Sequence, residues 1–471
     1  MSLTRELFVR FNIISILSKR DCSKVVRDFR DVPSPRGFPI LGTRLALLAA
    51  GSSKYLHEYV DKRHRELGPI YRERLGPVTG VFVSDPDSIR SIFAQEGKYP
   101  IHVIPEAWTL FNQKHNCGRG LFFMNGKEWL DTRRIMNNLL LKGDMSWLEE
   151  AADAVITGFL EDLEKNGSLG TSLDSEFYQV FLEVIVSVLL GADTYRKHRD
   201  VIQQRVDHLA QSVQLVFETT MKLDMLKVKW ADKLGLKRWK NFESSMLNAL
   251  SGTTRMLERL TEECGRGNGL MEMLRAKNLS EDRINAIVTD LFLAAADTTA
   301  YTMQWMVYMV AKNQNIQDEL RSQLGDPESS YLKNTLKETL RLYPVAPFIT
   351  RFLPHESCIS GYRIPENTLI VMSIYSTGRD ERYFDNPLEF LPERWNRENK
   401  GRVTRQASLP FAMGSRSCVG KKLAEYELQT MLSQLIKNFK IELLNTKEIR
   451  MVMKMIAAPS EPIRLNLKKI G

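Results

Sequence analysis

The spacing of apolar residues is what most limits how this chain can fold. They recur at helical period through 124–142, 146–165, 176–191, 198–220, 240–265, 281–311, 314–323, 330–342 and 419–438. Strand signals are short and few. Ile70 to Leu75 and Val81 to Ser84 form a pair joined through Gly76 to Gly80. Further strand candidates are Phe348 to Leu353, Ile364 to Ser373 and Ile463 to Leu467. Helices and strands do not alternate, which argues against a doubly wound sheet. No GxGxxG follows a strand, so a built-in nicotinamide or flavin domain is not expected. The pattern predicts a mainly α fold with a small β lobe, in one domain over 31–471. A chain of 471 residues can bury a large core.

Charge and cysteine usage narrow the setting. The 66 basic and 57 acidic side chains leave a net charge of +9, which permits an anionic partner without selecting one. Cys22, Cys117, Cys264, Cys358 and Cys418 are odd in number and scattered, unlike a secreted disulfide framework, and no CxxC pair offers a zinc site. No window approaches the ~20 apolar residues that span a bilayer. Residues 1–30 are basic and poor in acids, with Leu3, Leu7, Phe8, Phe11 and Ile14 at helical spacing, and so resemble a mitochondrial transit peptide. A Pro-rich joint from Val32 to Pro39 follows and reads as a stiff, extended entry into the domain.

The segment from Leu409 to Lys422 carries the chemistry. It reads Leu-Pro-Phe-Ala-Met-Gly-Ser-Arg-Ser-Cys-Val-Gly-Lys-Lys, and a helix follows directly. Backbone N–H groups at a helix start stabilise a thiolate, which suits Cys418. Gly414 and Gly420 let the backbone pass close to something flat and bulky. Arg416 has the offset to pair with a nearby anion. A thiolate held this way is one axial ligand for haem iron. The ordinary alternative is a small buried core cysteine.

The run Phe411-x-x-Gly414-x-Arg416-x-Cys418-x-Gly420 fills every fixed position of the haem-binding signature of the cytochrome P-450 haem-thiolate monooxygenases, and the chain resembles that family. Further motifs lie upstream in the family's order. Glu338-Thr339-Leu340-Arg341 matches its ExxR, and Arg394 in Pro392-Glu393-Arg394-Trp395 matches the arginine that locks with it. Trp129 and Arg133, and separately Arg351, stand where the family places haem-propionate donors. Ala294-Ala295-Ala296-Asp297-Thr298-Thr299 resembles the oxygen-activation motif, with Asp297 and Thr298 as the proton-delivering pair. Ala295 replaces the family's usual glycine, which puts the local distortion of that helix in question. The resemblance implies the cytochrome P-450 fold, haem b with Cys418 as iron ligand, and insertion of one oxygen atom of O₂ into a C–H bond.

The resemblance is to the mitochondrial clan from about Pro33 to Leu467. It implies an acidic, adrenodoxin-like ferredoxin as electron donor, docked on Lys333, Lys337, Lys421 and Lys422, and a place on the matrix side of the inner membrane. Lys227-Val228-Lys229-Trp230 through Arg238-Trp239-Lys240 is basic and aromatic and suits peripheral membrane contact; no nucleic-acid motif accompanies it. The resemblance assigns the substrate cavity to Ile104, Trp108, Phe111, Phe292, Val345, Phe348, Ile349, Ile456 and Ala457. That apolar set suits a sterol-like lipophile. The Ala-Asp-Thr-Thr-Ala core resembles, more loosely, an insect ecdysteroid 2-hydroxylase, which narrows the expectation to 2-hydroxylation of an ecdysteroid precursor. Alternatives are a broad-range detoxifying monooxygenase and a haem-thiolate isomerase or dehydratase.

Overall fold

The 32-residue helix Glu281–Lys312 is the axis of the molecule. It is buried on most sides from Ile284 to Ala311, which is why it reads apolar all round. The computed structural model describes residues 26–38, 41–75, 78–118, 120–166, 173–223, 227–399 and 405–470. Asp174–Leu190, Tyr331–Leu342 and Lys421–Asn438 pack against the central helix. Trp305 of that helix stacks on Tyr343, with ring centroids 4.0 Å apart. Ser146–Asn166 covers Asp174–Leu190, while Arg199–Lys222 and Lys237–Cys264 pair along their length further out.

The helices read from periodicity are all present, with ends shifted by a few residues. The 419–438 stretch begins at Lys421 because Gly420 ends the loop before it. Helices Leu56–Leu67, Pro86–Gln95 and Glu106–His115 were not read from the sequence. The second has a legible start: Pro86 opens the helix and the Asp85 carboxylate accepts the Ser88 N–H at 2.8 Å.

The β lobe is a four-stranded sheet. Strands β1 (Ile70–Leu75), β2 (Val78–Val83), β3 (Phe348–Phe352) and β6 (Leu369–Ser373) lie in the order β1-β2-β6-β3. The β2–β6 pair is parallel and the other two are antiparallel. Strand β2 starts three residues earlier than expected, because Val78, Thr79 and Gly80 continue the ladder opposite Leu75, Arg74 and Glu73. The single strand expected from Ile364 to Ser373 is two pieces. After β4 (Ser357–Ile359), β5 (Tyr362–Ile364) ends at Pro365, which lacks an N–H, and Asn367 turns the chain with φ +57 before β6 begins. The C-terminal strand is β10 (Leu465–Lys469), antiparallel to β7 (Phe439–Leu443). Strands β8 (Met451–Lys454) and β9 (Ile456–Pro459) form a hairpin that ties back to the core through Ala457 N–H to Val345 O, 2.8 Å. The 1–30 segment falls almost wholly outside the described residues.

Candidate active site

Cys418 sits where three segments meet. Its own N–H donates to Phe411 O at 2.9 Å, and Ser417 N–H to Gly414 O at 3.2 Å, so the loop folds back on itself. Ala412 and Gly414 make the turns with φ +56 and +78. Cys418 keeps free surface although dense surroundings desolvate it. It therefore opens into an internal space and not into bulk water. Burial pushes the thiol up, while the Gly420 N–H, Arg133 and Lys421 pull the other way.

The arginines expected around the cofactor converge here. Arg133 is buried and its Nη2 donates to Ser417 O at 2.6 Å, while its buried Nε has no hydrogen bond. Arg351 donates through Nε to the Glu96 carboxylate at 2.6 Å and through Nη1 to Thr350 O at 2.8 Å, which leaves buried Nη2 without a partner. Arg416 is different. Nε donates to Pro100 O, Nη1 to Leu121 O, and Nη2 to Met124 O and Asn125 Oδ1, at 2.6 to 3.3 Å. Its guanidinium lies 4.3 Å above the buried Trp129 ring. Arg416 thus fastens the loop to the 100–125 segment.

The residue set fits haem. Two arginines present buried N–H groups with no acceptor, a costly state that a propionate would relieve. Glu96 pairs with Arg351, while Arg133 and Arg416 bond only neutral oxygens, so the site carries positive charge in excess, as two propionates require. A cysteine sulfur on an internal space is a donor suited to iron.

On the central helix, surface is free at Ala294, with Ala295 and Thr298 partly so, amid buried neighbours. Thr298 Oγ1 donates to Ala294 O at 2.9 Å and lies 3.1 Å from Ala295 O. The helix stays regular through Ala295. Asp297 is 2% exposed and accepts from Tyr178 O–H at 3.4 Å. Burial raises its carboxyl to about 7.

Glu338 is fully buried and accepts five hydrogen bonds: Arg341 Nη2 at 2.7 Å, Arg394 Nε at 2.7 Å, Arg341 Nε at 2.9 Å, Trp395 Nε1 at 2.9 Å and Leu391 N–H at 3.0 Å. Arg341 also reaches Gly378, Pro387 and Glu389 carbonyls. Lys333 and Lys337 on Tyr331–Leu342 lie on a helix packed against the one carrying Lys421 and Lys422. Lys333, Lys421 and Lys422 are exposed; Lys337 lies half-buried over the Trp395 ring.

The apolar set divides. Phe111, Phe292 and Ala457 have no accessible surface and belong to the packed wall. Trp108 is also buried, with Nε1 donating to Thr220 Oγ1 at 2.9 Å. Val345 is nearly buried, while Ile104, Phe348, Ile349 and Ile456 keep surface. Two residues of the site were not read from the sequence. Glu96 joins Arg351 to the cysteine loop, and His102 packs edge-on to Phe122 at 4.8 Å, where burial with Arg416 and Arg351 nearby drops its pKa to about 3.

The profile of the family described as Cytochrome P450 matches residues 32–467. This chain belongs to the cytochrome P450 family. Its haem cofactor and monooxygenase chemistry follow from that membership. It is 35% identical over 467 residues to "Cytochrome P450 315a1, mitochondrial" of Drosophila melanogaster, covering 94% of this chain and 89% of the relative. It is 28% identical to "Cholesterol side-chain cleavage enzyme, mitochondrial" of Oncorhynchus mykiss, covering 96% and 92%. Among solved structures, retinoic acid-bound cyanobacterial CYP120A1 superimposes with a TM-score of 0.74 over 94% of this chain and all of that one, at 19% identity.

Proposed function

We propose that the chain is a mitochondrial P450 that hydroxylates a steroid-like lipophile, and in its narrowest form carries out 2-hydroxylation of an ecdysteroid precursor. The observation that carries this reading is the 35% identity, along nearly the whole chain, to a mitochondrial P450 of Drosophila melanogaster. The relative named for cholesterol side-chain cleavage supports a sterol-sized substrate.

Bound haem supplies the oxidation: one atom of O₂ enters a C–H bond and the other leaves as water, with two electrons and two protons consumed. The residues divide the remaining work. Cys418 presents sulfur to the iron. Arg133 and Arg351 offer the propionates their spare N–H groups. Thr298 and Asp297 form the proton route, and Asp297, with its carboxyl near 7, both holds and gives up a proton at neutral pH. Ala294 and Ala295 keep the central helix lean beside the reacting centre. Ile104, Phe348, Ile349 and Ile456 give substrate an apolar wall.

Electrons come from an acidic ferredoxin docked on Lys333, Lys421 and Lys422, with Lys337 at the edge. Trp230, Leu234 and Leu236 are exposed among Lys227, Lys229 and Lys233 and support peripheral contact with the inner membrane. The basic residues 1–30 act as the mitochondrial address. A spectral titration of the haem protein with sterols, 2-deoxyecdysteroids and xenobiotics tests the substrate. A tight low-spin to high-spin response to 2-deoxyecdysteroids alone supports the narrow reading. Weak responses spread over unrelated lipophiles overturn it in favour of detoxification.

A further inference from the structure

One carboxylate links the two halves of the haem site. Glu96 follows the helix Pro86–Gln95 and is 3% exposed. Its Oε2 accepts Arg351 Nε at 2.6 Å, and its Oε1 accepts the Ser415 backbone N–H at 2.8 Å. Arg351 belongs to the propionate side and Ser415 to the cysteine loop. Gly414 makes this approach possible: a Cβ there would lie 2.3 Å from Glu96 Oε1 and 3.0 Å from Cδ. That glycine of the signature therefore admits the Glu96 carboxylate.

We propose that Glu96 is a positioning residue that sets both the net charge of the haem site and the register of the thiolate loop against Arg351. Its charge offsets that of Arg351, to which it is bonded, and acts also on Arg416, so it lowers the positive charge of the site. Occupying Nε fixes Arg351 so that its buried Nη2 is the group left for an acceptor. Holding Ser415 N–H fixes the turn that leads to Cys418 three residues on. A residue that served packing alone would set the fold and leave the electronics of the iron unchanged.

Reductive titration of the haem-loaded protein tests this. Glu96→Gln keeps the shape and removes a negative charge from beside Arg351 and the cysteine loop, so the midpoint potential of the haem-loaded protein shifts upward. Glu96→Asp keeps the charge and hence the wild-type potential. Its shorter arm cannot reach Arg351 and Ser415 together, so the ferrous carbon monoxide complex shows a larger thiol-ligated fraction than wild type. A folded, haem-loaded Glu96→Gln with the wild-type potential overturns the proposal. If that variant does not retain haem, Glu96→Asp decides: an unchanged thiolate-ligated fraction overturns the proposal, and a raised thiol-ligated fraction at wild-type potential supports it.

Discussion

Replacing Glu338 with Gln tests whether the buried ion network carries the fold. Each carboxylate oxygen has more than one donor: Oε1 accepts from Arg341, Arg394 and the Leu391 N–H, and Oε2 from Arg341 and Trp395. A glutamine can keep only one of these sets. If its carbonyl takes the Oε1 place, its NH₂ faces two donors, Arg341 Nε and Trp395 Nε1. In the flipped orientation it faces three. At least two charge-assisted or buried hydrogen bonds are lost, at about 1.5–3 kcal/mol for those to a charged group. The two guanidiniums also lose their counter-charge, and breaking a buried pair costs about 3–5 kcal/mol. Both routes give about 3–5 kcal/mol, a large share of the ~5–15 kcal/mol that holds a typical domain. Guanidinium chloride unfolding followed by far-ultraviolet circular dichroism measures it, since Trp395 itself lies in the network. A loss below about 1 kcal/mol would refute the reasoning, because the carbonyls around Arg341 and Arg394 would then suffice to hold both cations.

Cys418→Ala removes the sulfur, so the thiolate-type band of the ferrous carbon monoxide complex disappears while the helical circular dichroism remains. Thr298→Ala frees the Ala294 carbonyl and removes the hydroxyl from the proton route, so a larger share of consumed electrons appears as peroxide; unchanged coupling shows that Thr298 is not on that route. Reversing charge at Lys333, Lys421 and Lys422 lowers ferredoxin-supported turnover about tenfold or more at low salt and less at high salt, with oxidant-supported turnover unchanged. For pH, His57 is held neutral with a pKa of about 3 and His64 of about 4, mainly by burial. Both lie below the unfolded value of about 6.5, so their stabilisation is full above pH 6.5 and is lost as pH falls toward 4 and 3, each costing about 2 kcal/mol by pH 5. His102, at about 3, adds a like loss, and Glu183, Glu427 and Asp297, raised by burial to about 7, 8 and 7, oppose the three histidines, because their native penalty relaxes as pH falls through the same range. Stability measured by unfolding is therefore nearly flat from pH 7 to 5 in the wild type. In Glu183→Gln/Glu427→Gln it begins to fall near pH 6.5; identical curves would rule out the compensation.

What the sequence revealed, and what it hid, follows chain separation. The long helices, the Cys418 loop and the Glu338–Arg341 pair rest on residues a few positions apart, so period and spacing carry them. Arg394 was legible only because a short motif surrounds it. Glu96 meets Arg351 across 255 positions and Ser415 across 319, and no local pattern marks it. Tyr178 reaches Asp297 in the same way, across 119 positions. Strands β7, β8 and β9 are four or five residues each, too short for an alternation to stand out. Phe111, Phe292 and Ala457 show the opposite difficulty: an apolar side chain reads the same whether it walls a cavity or fills the core behind it, and only the absence of accessible surface separates them.

The placement of the signature residues changes what the signature encodes. Arg416 spends its guanidinium on carbonyls between Pro100 and Met124, and Gly414 makes room for Glu96. Arg133 reaches the loop at Ser417 from the helix Gly126–Leu140. Among these, Gly420 adjoins the sulfur itself, through its N–H. Two of the fixed positions flanking Cys418 are thus terms of attachment to the 96–125 segment. That segment has no motif of its own, yet it sets the loop from outside on Glu96, Pro100, Leu121, Met124 and Asn125. Substitutions there, more than 290 positions from the cysteine in sequence, reach the sulfur through Ser415 and Arg416.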